Sequence, residues 1–141
     1  MDQITPFFDG TSYDSPDFRP GWVSRTFPSL AFYSRVIRIV YSASRRAKSG
    51  PYNSPEWFAD SVLTAKALEQ TGCRFEVRGL EQLQKLDRPC IFIGNHMSTL
   101  ETFVLPSLIM PFGFDLTYVI KRSLVDYPVF GDVVKTRNPV V

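Results

Sequence analysis

Cys90-Ile91-Phe92-Ile93-Gly94-Asn95-His96-Met97-Ser98-Thr99-Leu100-Glu101 is the stretch on which the fold turns. Cys90–Ile93 is a wholly apolar run bounded by Pro89 and Gly94, the pattern of a buried central strand. It runs straight into Gly-Asn-His, and a helical pattern over Thr99–Met110 follows. In open α/β sheets ligands bind outside the carboxyl ends of the strands. His96, the single histidine of the chain, therefore stands where such folds place their sites.

Outward from this stretch, strands and helices alternate. Cys73, Phe75 and Val77 interleave with Arg74, Glu76 and Arg78, as in a half-exposed strand. A short helical turn over Glu81–Leu86 precedes Pro89. Leu116–Ile120 reads as another buried strand, Tyr127–Lys135 as a short helix, and Pro139-Val140-Val141 as the start of one more strand. The expected fold is α/β, a parallel-rich sheet flanked by helices and preceded by a two-helix region.

That region has its own signature. Residues 1–28 hold four prolines without a sustained period and read as an irregular arm. From Ser29 to Lys48 the period is helical: Arg35, Arg38, Arg45 and Arg46 fall on one side, and Leu30, Phe32, Tyr33, Val36, Ile37, Ile39, Val40 and Tyr41 on the other. No acid occurs there, so the helix fits a membrane interface, with an ordinary surface helix as the plainer alternative. A second helix spans Ser54–Thr71, with Ser54 as N-cap, Pro55 in the first turn and Gly72 at the stop. The expected organisation is an arm over 1–28, a two-helix, membrane-associating region over 29–72, and the first part of an α/β domain over 73–141.

Composition sets bounds. A chain of 141 residues with 44% hydrophobic and 21% charged residues suits one globular domain, and a net charge of +2 gives no reason to expect nucleic acid. No apolar run reaches the length of a spanning helix, and the acidic N-terminus lacks a signal-peptide pattern. Cys73 and Cys90 show no metal-ligand spacing and read as small buried apolar residues. No metal or nucleotide motif is present.

The residues alone admit two chemistries for the central stretch. Gly94-Asn95 is a turn dipeptide, and Ser98-Thr-Leu-Glu101 is a capping-box pattern in which Glu101 reaches back to the Ser98 backbone. Alternatively, His96 is a general base and Glu101 its orienting carboxylate. A serine hydrolase built on Ser98 lacks the G-x-S-x-G elbow. Lys121, after an apolar strand, is a candidate phosphate partner, equally readable as a solvated lysine; Lys135 and Arg137 are further basic candidates.

Asn95-His96, four residues, then Glu101 resembles the first signature of the lysophosphatidic acid (PlsC-like glycerolipid) acyltransferase family, Asn-His, four residues, Asp. Val77-Arg78-Gly79-Leu80-Glu81 before it, and Val119-Ile120-Lys121-Arg122-Ser123-Leu124 with Pro128-Val129-Phe130-Gly131 after it, resemble that family's flanking stretches. The likeness runs from about Phe75 to Val141. Glu101 departs from the usual Asp but keeps the charge and adds one methylene.

The resemblance implies direct acyl transfer. His96 would take the proton of an acceptor hydroxyl as that oxygen attacks a thioester carbonyl, with Glu101 fixing the tautomer. Asn95, Ser98 and Lys121 would contact substrate. The donor would be acyl-CoA or acyl-carrier protein, with no further cofactor, and the acceptor a lysophospholipid at the cytoplasmic face of a membrane. A relative acylating another lipid, and a non-catalytic membrane-binding fragment, are the alternatives. The family's further motifs, which bind the acceptor phosphate, would lie beyond Val141, so the chain is expected to be a truncated piece, poorly active alone.

Overall fold

The computed structural model describes residues 10–50, 52–95 and 97–141. Within them the elements are β1 (Tyr13–Asp14), α1 (Trp22–Thr26), α2 (Pro28–Ser49), α3 (Ser54–Glu69), β2 (Glu76–Val77), a 3₁₀ turn (Leu80–Lys85), α4 (Leu100–Ile109) continued by a 3₁₀ turn (Met110–Phe112), α5 (Arg122–Val125) and α6 (Phe130–Lys135).

The expected parallel-rich sheet is overturned. Among the described residues the one sheet has two strands, β1 and β2, antiparallel, with Tyr13 opposite Val77 and Asp14 opposite Glu76. Thus the half-exposed strand expected over 73–78 shortens to Glu76–Val77, and its partner comes from the arm. Cys90–Ile93 is neither buried nor paired: Ile91 is 89% and Ile93 93% exposed, and no backbone hydrogen bond joins it to another described segment. Leu116–Ile120 and Pro139–Val141 meet through a single parallel bridge, Val119 to Val140. The physical reason is that apolarity marks a segment able to be a buried strand, whereas a strand also needs neighbours offering N–H and C=O groups in register. Cys73 and Cys90, read as buried, are both exposed, because they share these uncovered segments.

The helices follow their local signals closely. α3 is capped by Asn53, one residue before the expected Ser54: Asn53 Oδ1 accepts from the Glu56 amide (3.1 Å) and Glu56 Oε2 from the Asn53 amide (3.0 Å). That reciprocal pair satisfies two donors that a helix start leaves orphaned. Gly72, at φ +93°, turns the chain just past α3.

α4 carries Pro106 in its interior, which removes the amide that would bond the Thr102 carbonyl. The Tyr118 hydroxyl donates to that carbonyl instead (3.2 Å). One residue on, the Ser107 amide donates to Ser61 Oγ of α3 (2.9 Å), and the Ser61 hydroxyl donates to the Val104 carbonyl (3.1 Å). α3 and α4 are therefore joined by buried polar bonds as well as by packing.

Phe32 of α2, Ala65 and Leu68 of α3 and Val104 of α4 form the main buried cluster; Ala43, Tyr52 and Val133 form a second, between α2 and α6. Ser44 Oγ donates to Asp132 Oδ2 (2.9 Å) and Lys48 Nζ pairs with the same oxygen (3.2 Å), fastening α6 to α2. The Ser44 bond first, then Lys48, holds the Asp132 carboxyl below the ordinary range.

The apolar side of α2 divides. Phe32 and Val36 turn into the main cluster. Leu30, Tyr33, Ile37 and Tyr41, spaced to share one face, stay exposed, and Trp22 and Phe27 lie exposed just ahead of them in the chain.

Candidate functional site

A cleft of about 1010 Å³ opens among α2, α3, α4 and α6. Its polar rim includes exposed Gly94, Asn95, Thr99, Lys121 and Ser123, together with half-buried Glu101. Its walls are largely apolar, with Ile39 and Val40 of α2, Phe103 and Leu105 of α4, and Phe130 and Val134 of α6. Buried residues border it too: Ala43, Tyr52, Asp60, Ser61, Thr64 and Val133.

Three of the residues expected at the site, Asn95, Glu101 and Lys121, thus share one cleft. Ser98 is joined to it through Glu101. Its amide donates to Glu101 Oε1 (3.0 Å), its hydroxyl donates to Oε2 (2.6 Å), and its oxygen accepts from the Leu100 amide (3.1 Å). Glu101 thus reaches back to the Ser98 backbone as the S-T-L-E spacing indicated, although Thr99 is the N-cap and the Ser98 oxygen serves the Leu100 amide, and these bonds hold the carboxylate at the start of α4. His96 lies outside the described residues, and so does its expected pairing with Glu101.

Lys121 precedes α5, where its carbonyl accepts from the Leu124 amide (2.9 Å). Gly131, at the start of α6, allows α5 and α6 to close on each other: a Cβ there would meet the Val125 carbonyl oxygen at 2.2 Å. The α5–α6 pair in turn carries Leu124, Phe130 and Val133 to the cleft wall.

The structure adds residues that pattern reading did not single out. Trp57, Asp60, Ser61 and Thr64 recur at i, i+3, i+4 and i+7 and present one face of α3 to the cleft. The Tyr118 ring stands edge-on to Trp57 (5.6 Å between centroids), and the Arg137 guanidinium lies 4.7 Å from the Trp57 ring centre while donating to Asp115 Oδ1 (2.5 Å). Burial pushes the Tyr118 phenol above its ordinary range, so it remains the donor that Thr102 needs. For α3 the helical spacing was the available signal; Arg137 was already a basic candidate in the sequence, whereas for Tyr52 and Tyr118 no local pattern marks the contact.

The chain is 39% identical over 69 residues to a 1-acyl-sn-glycerol-3-phosphate acyltransferase of Pseudomonas aeruginosa. The match takes in 49% of this chain and 24% of that protein, so it spans about a quarter of the relative's length. No family model matches the chain. No solved structure matches it either.

Proposed function

We propose that this chain carries part of an acyltransferase that moves a fatty acyl group from a thioester, acyl-CoA or acyl-carrier protein, to a hydroxyl of a glycerophospholipid precursor such as 1-acyl-glycerol-3-phosphate. The observation that carries the reading is one cleft that joins Asn95 and Glu101 at a polar rim to largely apolar walls, in a chain partly similar to a protein of that name. An acyl thioester has the same division: a polar reacting carbonyl and an apolar tail.

In this mechanism an imidazole nitrogen of His96 takes the acceptor hydroxyl proton as the oxygen attacks the thioester carbonyl carbon. The tetrahedral intermediate collapses by breaking the carbon–sulfur bond, and the departing thiolate takes the proton back from the imidazolium. Glu101, held by Ser98, stabilises the imidazolium and fixes the ring's tautomer. Lys121 at the rim supplies a cation for a phosphate of donor or acceptor.

The acceptor is membrane-borne in this reading, and the first two helices suit a bilayer. From Phe18 to Pro55 the chain has Arg19, Arg25, Arg35, Arg38, Arg45, Arg46 and Lys48 and no acid. The exposed row Leu30, Tyr33, Ile37 and Tyr41 runs beside Arg38 and Arg45, an interfacial rather than a spanning pattern. Among the described residues no helix is long and apolar enough to cross a membrane. Arg46 is occupied elsewhere, paired with Asp60 (2.5 Å) and Glu56 (3.4 Å), so the exposed Arg19, Arg25, Arg38 and Arg45 carry the attraction to anionic lipid. The reading is tested by thioester-dependent acylation of 1-acyl-glycerol-3-phosphate with wild-type protein and His96→Ala.

A further inference from the structure

One turn beside the cleft holds its backbone in a conformation that its side chain opposes. Between α5 and α6 the Phe130 amide donates to the Pro128 carbonyl (2.8 Å), and the enclosed residue, Val129, has φ 68° and ψ −56°. That is a three-residue γ-turn of the rare, strained form. A β-branched side chain makes a positive φ costlier still. Such strain persists only where the surrounding structure imposes it.

The two sides of the turn are held unequally. α6 buries Gly131 and Val133 and is fastened to α2 through Ser44, Lys48 and Asp132. α5 buries no residue, and Arg122, Ser123 and Leu124 are exposed. What draws α5 in is its fit against Gly131, whose amide donates to the Tyr127 carbonyl (2.8 Å) and whose missing Cβ leaves room for the Val125 carbonyl. Ahead of α5 the chain is pinned again at Ile120, whose amide donates to the Val140 carbonyl (2.9 Å). Residues 121–128 therefore hang between two fixed points, and Lys121, Ser123 and Leu124 among them border the cleft.

We propose that residues 121–128 form a lid on the cleft, with Val129 as its strained hinge. The structure shows the closed form, with Val129 at positive φ and α5 seated on Gly131. Relaxation of Val129 to a negative φ breaks the Phe130–Pro128 and Gly131–Tyr127 bonds and swings α5 off α6. Lys121, Ser123 and Leu124 leave the rim with it, while Phe130 stays beside Phe103 of α4 (5.6 Å between ring centroids). The strain lowers the cost of opening, so a ligand enters and leaves without disturbing α6. A ligand that touches Lys121 binds the closed form better and shifts the population towards it. The hinge rests on the geometry alone; only the ligand, a phosphate-bearing thioester, rests on the acyltransferase reading above.

Amide hydrogen exchange, read by NMR at Phe130 and Gly131, tests the hinge in the free protein. In the wild type both amides exchange at least about tenfold faster than that of fully buried Ala65 in α3. Val129→Gly relieves the strained φ and slows both at least about threefold, the strain removed exceeding the freedom that glycine regains. Gly131→Ala sets a Cβ against the Val125 carbonyl oxygen, at 2.2 Å before adjustment, and quickens exchange at Phe130. Circular dichroism confirms the helices of each variant; should Gly131→Ala unfold, Val129→Gly decides. Protection at Phe130 equal to that at Ala65, or no slowing in folded Val129→Gly, overturns the hinge and leaves the acyltransferase reading standing. The lid is tested at the same amides with S-hexadecyl-coenzyme A added to calorimetric saturation. Slower exchange supports the lid, and unchanged exchange in the saturated protein overturns it. Absence of binding heat counts against that ligand and so against the acyltransferase reading, while the free-protein rates still decide the hinge.

Discussion

The Tyr118 hydroxyl donates to the Thr102 carbonyl at 3.2 Å, the carbonyl that Pro106 leaves without its helical amide. The rim and wall of the cleft thereby become one unit, because Thr102 and Tyr118 both border it. Tyr118→Phe keeps the ring beside Trp57 but leaves that carbonyl unpaired, and should lower stability by about 1–2 kcal/mol. Urea denaturation measures this; an unchanged midpoint would show that solvent serves the carbonyl equally well.

Alkaline pH should weaken the fold through its raised phenols, Tyr52 and Tyr118 among them. Burial first, and then the bond to the Asp60 carboxylate, pushes Tyr52 above the ordinary phenol value of 10.0, and burial does the same to Tyr118. A raised folded-state pKa means that the folded chain keeps its proton after the unfolded chain has lost it. The stability these groups contribute is complete below about pH 10 and is lost as pH rises above it. Denaturation midpoints measured from neutral to alkaline pH should fall above that value, less steeply in Tyr52→Phe. Identical slopes in the two proteins would contradict the assignment.

Vesicle binding should depend on the exposed row of α2. Ile37→Glu with Tyr41→Glu places charge where the bilayer's apolar boundary would lie, and no buried residue is disturbed. Sedimentation with anionic vesicles at modest salt should show loss of most of the binding, while Arg38→Glu with Arg45→Glu should weaken its salt dependence. Retained binding in the first variant would assign the row to another role.

Helices were legible because their signals are local. The arginine-bearing period gave α2, and Ser54-Pro55-Glu56 with Gly72 at the stop gave α3, its cap misplaced by one residue. The Ser98-to-Glu101 spacing likewise announced the bonds that fix the carboxylate. Sheet formation was not legible, because pairing depends on what lies beside a strand. Cys90–Ile93 has the composition of a central strand without a described neighbour, whereas Glu76–Val77 finds one in the arm, sixty-odd residues away. The division of the apolar side of α2 was hidden for a related reason. Periodicity tells which residues share a face, and only the placement of α3 tells which part of that face is covered. The convergence of Tyr52 and Arg46 on Asp60, beside the cleft, depends on the same packing.

The central claim is that His96 and Glu101 serve acyl transfer, and one measurement bears on it most directly. The protein is incubated with palmitoyl-CoA and 1-acyl-glycerol-3-phosphate, and diacylated product is followed by mass spectrometry in wild type, His96→Ala and Glu101→Gln. Loss of a general base costs about 10²–10⁴-fold, so product formation by His96→Ala should fall at least about 10²-fold and that by Glu101→Gln should fall in the same direction. His96→Ala protein that forms product as fast as wild type would contradict the account.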